Sequence, residues 1–497
     1  MSSFNIEKNR NVVPRWYPYN IANLVGDTQP NSAVDLREYI SKQTYKEKEA
    51  DWLKSKNLTF ASGLIGAAFT LGDLENPNVL DASKFVLENK RASNLSRHVA
   101  KKLLKVLTGD IDDLLEFNVS NNTERIHNSI SKIKKDLKEY PFNPIKWTDL
   151  AFYYSVIGQN NKADKCIVTA LALNSENRFL LRSAARFFLH TQQQDKALYF
   201  LRKSSISKKD PWIISSEISI SDSIDKTPLF LKYAKEILAK NDFDPHQVSE
   251  LAGSLGNLEI NRGSSKKGKK LFEMSLNDPT ENVLAQIEWL KSKGELRSLD
   301  TNMDLSYTFE AKARKHFRDR NYQEALKCAL EWLGFQPFTT TPAAIGTYIA
   351  STALDDHESA VKIARFALIA SPDNFTLKNN LAFSLALTNE KDEAKKIMEG
   401  IKYDSLTAME KAVCDATFGA IEYRYGNFDK GRELYKKSVE LFKKINDEPK
   451  ATLALYHWSR EEERINPEAA KPMKEAVQEL AKKYNINEIM DKDTQAK

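Results

Sequence analysis

PIKWTDLAFYYSVIGQNNKADKCIVTALALNSEN, residues 144–177, carries two amphipathic faces in succession. Trp147, Leu150, Ala151 and Tyr154 fall at i, i+3, i+4 and i+7 and so share one helical face. Gly158 ends that helix, and Ala163, Ile167 and Ala170 line one face of a second. Helices approach closely only where a side chain is short, which gives Ala151, Ala163 and Ala170 their meaning. The stretch encodes an antiparallel helix pair.

The pattern then returns in step. A shift of 34 positions gives Leu181, Ala184, Ala185, Phe188, Ala197, Leu201 and Ser204, apolar or small throughout. Later units place the same residue types at Leu255, Gly256, Gly268 and Phe272, and again at Ala313, Tyr322, Ala325 and Ala329. Ala360, Ala364 and Ala367 follow, then Leu381, Ala382, Ala394 and Met398, and finally Gly426, Gly431 and Tyr435. Unrelated amphipathic helices would not keep their short residues in phase. The order Trp-x2-Leu-Ala-x2-Tyr, then Ala-x3-large-x2-Ala, resembles the tetratricopeptide repeat superfamily over roughly residues 144–445. The resemblance implies an all-α fold, an α-solenoid of stacked antiparallel helix pairs wound as a right-handed superhelix. Its concave face would be lined by the first helix of each pair.

Six stretches follow from the pattern: an extended segment over 1–34, degenerate helical repeats over 35–143, a first sub-array over 144–282, a joint over 283–305, a second sub-array over 306–445, and capping helices with a tail over 446–497. Residues 212–245 fit the repeat length but read as a degenerate unit. The opening segment holds VVPRWYPYN, in which two prolines among three aromatics favour extended chain. It is expected to cap the open end of the solenoid by docking Trp16 and Tyr19, or else to reach a partner. The final NEIMDKDTQAK is expected to fray.

The chain has 497 residues, with 74 Lys and Arg against 68 Asp and Glu and a formal charge of +6. A dedicated nucleic-acid binder concentrates a much stronger basic face. Three scattered cysteines, Cys166, Cys328 and Cys414, make neither a disulfide framework nor a zinc site, and a reducing cytoplasmic setting is expected. No apolar run reaches the roughly 18 residues of a membrane span. Neither a metal-ligand spacing nor a nucleophile elbow appears. GSSKKGKK (263–270) has the Gly-x4-Gly-Lys spacing of a phosphate loop, but Lys270 stands where Ser or Thr should bind magnesium and the preceding stretch reads as helix. No catalytic residue and no cofactor is expected.

A helical array offers a groove. Phe152, Arg182, Arg186 and His190 are expected to face it in the first sub-array, and Arg314 and Arg318 in the second. Each arginine pair is spaced i, i+4, close enough to engage an acidic or C-terminal carboxylate. The expected function is a non-enzymatic scaffold or adaptor that binds a protein or peptide, with acidic residues suiting those arginines. A peptide-responsive regulatory sensor and a helical-repeat RNA-binding protein are the alternatives.

Overall fold

The structure, a computed structural model, describes residues 9–19, 22, 36–71, 76–93, 96, 97, 99, 100, 104, 122–301, 303 and 307–495. Of the 1–34 segment only 9–19 and 22 are therefore described. Much of the expected degenerate region, including 105–121, lies outside the described residues, as do 496 and 497 of the tail.

The fold is an all-α solenoid, with no strand among the described residues. Helices α1 (Leu36–Lys54), α2 (Leu58–Leu71) and α3 (Pro77–Glu88) share a core of their own around Trp52, Leu64 and Val79. Helix α4 (Asn122–Glu139) packs on the first clear pair, α5 (Pro144–Val156) and α6 (Asn160–Leu173). There follow α7 (Arg178–His190) with α8 (Gln194–Lys203), α9 (Pro211–Ser223) with α10 (Leu231–Lys240), and α11 (Pro245–Asn261) with α12 (Ser265–Ser275). The described residues between α13 (Glu281–Ser292) and the next helix form no second helix of a pair. Pairing resumes at α14 (Phe309–Arg318) and α15 (Tyr322–Phe335), α16 (Thr340–Tyr348) and α17 (His357–Ala370), then α18 (Phe375–Leu387) and α19 (Lys391–Glu399). The last pairs are α20 (Ala408–Tyr425) with α21 (Phe428–Lys444) and α22 (Glu448–Glu463) with α23 (Pro467–Tyr484), closed by α24 (Asn487–Gln495).

Several helix starts have a local cause. Asn143, Asn177, Asp210 and Thr280 accept backbone N–H groups at the starts of α5, α7, α9 and α13. Proline stands in the first turn of α5, α9 and α11, where its missing N–H is harmless. Inside every pair from α5–α6 to α20–α21 the chain reverses through one residue of positive φ: Gly158, Gln192, Asp225, Gly263, Arg320, Asp355, Asn389 and Gly426; α22 and α23 are joined without one. Only three of these are glycine, so the backbone repeat is more regular than the glycine pattern that hints at it.

First helices pack on their own partners and on the next first helix, α5 on α7, α7 on α9, α9 on α11 and α11 on α13, which makes them the inner layer. The stretch 212–245 departs from the expected degeneracy. Ser215, Ser216, Ser219 and Ser221 are buried on α9, so serine supplies the short side chains that alanine supplies elsewhere. The apparent phosphate loop is a helix turn: Gly263 takes φ +82° and Gly268 opens α12 onto α11. A Cβ at Gly268 would lie 2.4 Å from Ile260 Cγ1 and 2.8 Å from the Gly256 carbonyl oxygen. Gly268→Ala is therefore expected to lower stability by about 1–3 kcal/mol, read by denaturant titration. A neutral result would show that α11 and α12 part freely.

The array also meets itself. Helix α5 packs on α17, a Cβ at Gly158 would lie 2.4 Å from the Ile369 carbonyl oxygen, and Phe338 and Ala370 join the core of the first pairs. At the other end the described residues of the tail are helical, where fraying was expected. They form α24, which packs on the π-helical turn Ile349–Ala353 that extends α16, buries Ile489, and accepts the Tyr348 hydroxyl at Glu488.

Candidate peptide-binding groove

Residues 9–18 contain no regular element, and Pro14 and Pro18 restrict the chain around them to extended conformations. An extended strand outside any sheet must find partners for its backbone elsewhere. Here the inner layer supplies them. Gln286 Nε2 donates to the Arg10 carbonyl at 2.9 Å, Asn282 Nδ2 to the Val13 carbonyl at 2.8 Å, and the Tyr19 N–H donates to Asp149 Oδ1 at 2.8 Å. The segment docks, but along the inner face and not over the open end.

Its side chains enter the wall of that face. Trp16 is 1% exposed and meets the rings of Phe152, Phe187 and Phe338 edge-on at centroid distances of 5.4, 6.1 and 5.2 Å. Tyr17 packs on Phe335 and accepts Gln336 Nε2 at 3.0 Å, and Tyr19 meets Phe179. Arg10 forks onto Glu310 at 2.8 and 3.1 Å and reaches Gln286 Oε1 at 2.8 Å and Asn282 Oδ1 at 3.1 Å. Arg15 pairs with Glu281 at 2.8 Å and with Glu310. Burial alone would raise the Glu310 carboxyl, but the guanidiniums of Arg10, Arg15 and Arg314 outweigh it and hold the group well below the usual carboxylate range. Glu281 moves the opposite way: burial, reinforced by neighbouring Glu310, raises it despite Arg15.

The arginines expected to await an acidic guest are committed within the protein. Arg182 is 1% exposed, 3.0 Å from Glu250, with its guanidinium 4.6 Å over Trp212. Arg186 donates to Thr339 and lies over Phe338. Arg314 is buried against Glu310 at 2.7 Å, and Arg318 pairs with Glu288. Phe152 is buried under Trp16, and His190 meets Phe338 edge-on at 5.6 Å. Phe152, Arg182 and Arg314 are buried, Arg186 and His190 are half-buried, and Arg318 keeps 31% of its side chain exposed beside Glu288. Spacing alone did not single out Glu281, Asn282, Gln286 and Glu310. Asn282 and Gln286 leave one trace in the sequence, an amide pair at i, i+4 on α13; Glu281 and Glu310 leave none.

Burial, with Arg186 beside it, pushes the His190 imidazole down to about 4, and its Nε2 has no hydrogen-bond partner. The folded value lies below the unfolded one of about 6.5. This contribution is thus complete above pH 6.5 and is lost as pH falls toward 4. Asp149 acts in the opposite direction, since burial pushes it up to about 6 and its contribution fades as pH rises through that value. Relative to wild type, His190→Gln is expected to gain about 3 kcal/mol of stability on acidification from pH 6.5 to 4, and Asp149→Asn to lose about as much. Parallel denaturation profiles for the three proteins would contradict both assignments.

Further along the inner layer, a second cleft of about 280 Å³ stands open between α16, α18, α20 and α22. Thr347, Asn379, Asn380, Phe383, Thr417 and His457 are among its lining residues. Asn380 donates to Thr347 at 2.8 Å, Thr417 to Asn379 at 2.8 Å, and the buried Ser384 hydroxyl has no partner. Burial pushes the thiols of Cys166, Cys328 and Cys414 up to about 12, which leaves them un-ionised near neutrality. No metal-binding group of His, Cys, Asp and Glu occurs among the described residues, and none of the described helices is long and apolar enough to cross a membrane.

No family model matches the sequence, and no curated protein matches it. Among solved structures, the crystal structure of yeast Tom70 is similar at 14% identity, over 93% of this chain and 97% of that chain, with a TM-score of 0.30. A likeness that weak carries no functional argument. The function has to be read from the groove.

Proposed function

We propose that this chain is a non-enzymatic interaction scaffold, an adaptor subunit of a cytoplasmic complex that holds extended protein against the inner face of its helical array. One observation carries the reading: the inner face already holds an extended segment, with amide and carboxylate side chains taking its backbone groups and apolar pockets taking its rings. Both elements recur in the open cleft, where Asn379 and Asn380 stand beside Phe383 and Met409. The buried, un-ionised thiols support the non-catalytic part of the proposal.

A photo-crosslinking residue at Phe383, in the full chain, is expected to capture a discrete protein, whereas the same residue at Lys395 on the outer face captures none. Equal labelling at both positions would sink the proposal. Nuclease-sensitive capture would favour RNA binding by the helical repeats. The sensor reading has its own support, because Arg10 and Arg15 bridge α13 and α14, so displacing their segment would remove contacts between those two helices. A change in solution dimensions on partner binding would favour it.

A further inference from the structure

Because residues 9–19 fill the first part of the inner face, that part is specified by what it accepts. We propose that this groove is an acceptor for a partner peptide of the same chemistry, which binds by displacing the resident segment. The peptide is extended, carries two arginines five positions apart, and places two aromatic residues after the second arginine. This deepens the scaffold reading above and rests on it.

The groove's contacts divide into two kinds. Gln286, Asn282 and Asp149 hold backbone groups that any extended chain possesses. Sequence is read elsewhere, by the Arg10 fork on Glu310, the Arg15 pair with Glu281 and Glu310, and the aromatic slot around Trp16. The fork is bidentate, and a lysine ammonium cannot reproduce it. Charge points the same way. Emptied of the segment, the floor would present Glu281 and Glu310 with Arg314 as their nearby cation, so a cationic guest is favoured and an acidic one repelled.

The resident also fits imperfectly. Trp16 Nε1, Arg15 Nε and Glu281 Oε1 are all buried without a hydrogen-bond partner. Each unmet group weakens the resident's hold and leaves a margin for a guest that supplies the missing partner. Nor does a ladder of backbone bonds tie the segment to a neighbour, so it can open as a local unit while the helices stay paired.

The test uses a labelled peptide of residues 9–19, NRNVVPRWYPY, and the full chain. A double variant, Arg10→Glu with Arg15→Glu, weakens the resident without touching the groove. It is expected to bind the peptide at least about tenfold more tightly than wild type does. A peptide with both arginines changed to alanine should not bind either protein. In wild type, saturating peptide should raise amide exchange within the resident 9–19 segment. If the double variant keeps its helical spectrum but gains no affinity, the segment is a structural strap and the proposal falls. If that variant fails to fold, exchange in wild type decides: no increase at about 1 mM peptide, comparable to the effective concentration of a short tether, overturns it. Dimers formed by segment exchange between two copies, seen by light scattering, would assign the groove to a second copy of this chain and overturn it as well. Capture at Phe383 reports on the open cleft, so the scaffold reading survives or fails separately.

Discussion

Trp16→Ala is expected to lower stability by about 3–5 kcal/mol, the range for deleting a fully buried aromatic side chain. The indole is the centrepiece of a ring cluster to which α5 contributes Phe152, α7 contributes Phe187, and the connection after α15 contributes Phe338. Its loss would open a cavity where three parts of the array meet, and rigid helices cannot collapse to fill it. Trp16→Phe should cost much less. The indole N–H has no acceptor, so the smaller ring also removes an unmet buried donor. Denaturant titration of the two variants gives the contrast directly. Equal losses would mean that the N–H is satisfied and the pocket reads tryptophan specifically.

Glu310→Ala should be nearly as damaging, at about 3–5 kcal/mol. Its carboxylate faces the guanidiniums of Arg10, Arg15 and Arg314 in a site where it is itself 2% exposed, and removing it takes from all three the carboxylate they share. The folded carboxyl is held below its usual range, so the stabilisation is present above the unfolded value and disappears as pH falls through the folded one. The gap between wild type and Glu310→Ala should therefore narrow in acid. Glu281→Gln is the comparison, because burial works against the charged form there and the substitution should cost less than loss of Glu310. Amide exchange of residues 9–19 is the local readout. If protection of that segment is unchanged in Glu310→Ala, the arginines are held by something other than this carboxylate.

The helix pairs were legible because close packing leaves a periodic trace: a short residue is required at each crossing, so Ala151, Ala163 and Ala170 recur in phase along the chain. At 212–245 the short residues are serines, which do the same work but read as polar. Groove chemistry left no such trace. The spacing of Arg182 and Arg186 identifies their face but not what lies across it, and the partner of Arg182, Glu250, comes two repeat lengths later on α11. The prolines and aromatics of residues 12–20 announced an extended, docking segment. They could not say where it docks, since the choice between end and inner face depends on carboxylates and amides contributed by α13 and α14.

The approach of Gly158 to the Ile369 carbonyl ties the turn of the first clear helix pair to α17, far along the chain. Phe338 and Ala370, in the core of the first pairs, bind the same two regions through side chains. A side chain at Gly158 would meet backbone, which cannot swing aside as a rotamer can, and its turn already requires a φ of +70°. Disturbance at this one turn would therefore be passed to α17 as well as to its own helix pair.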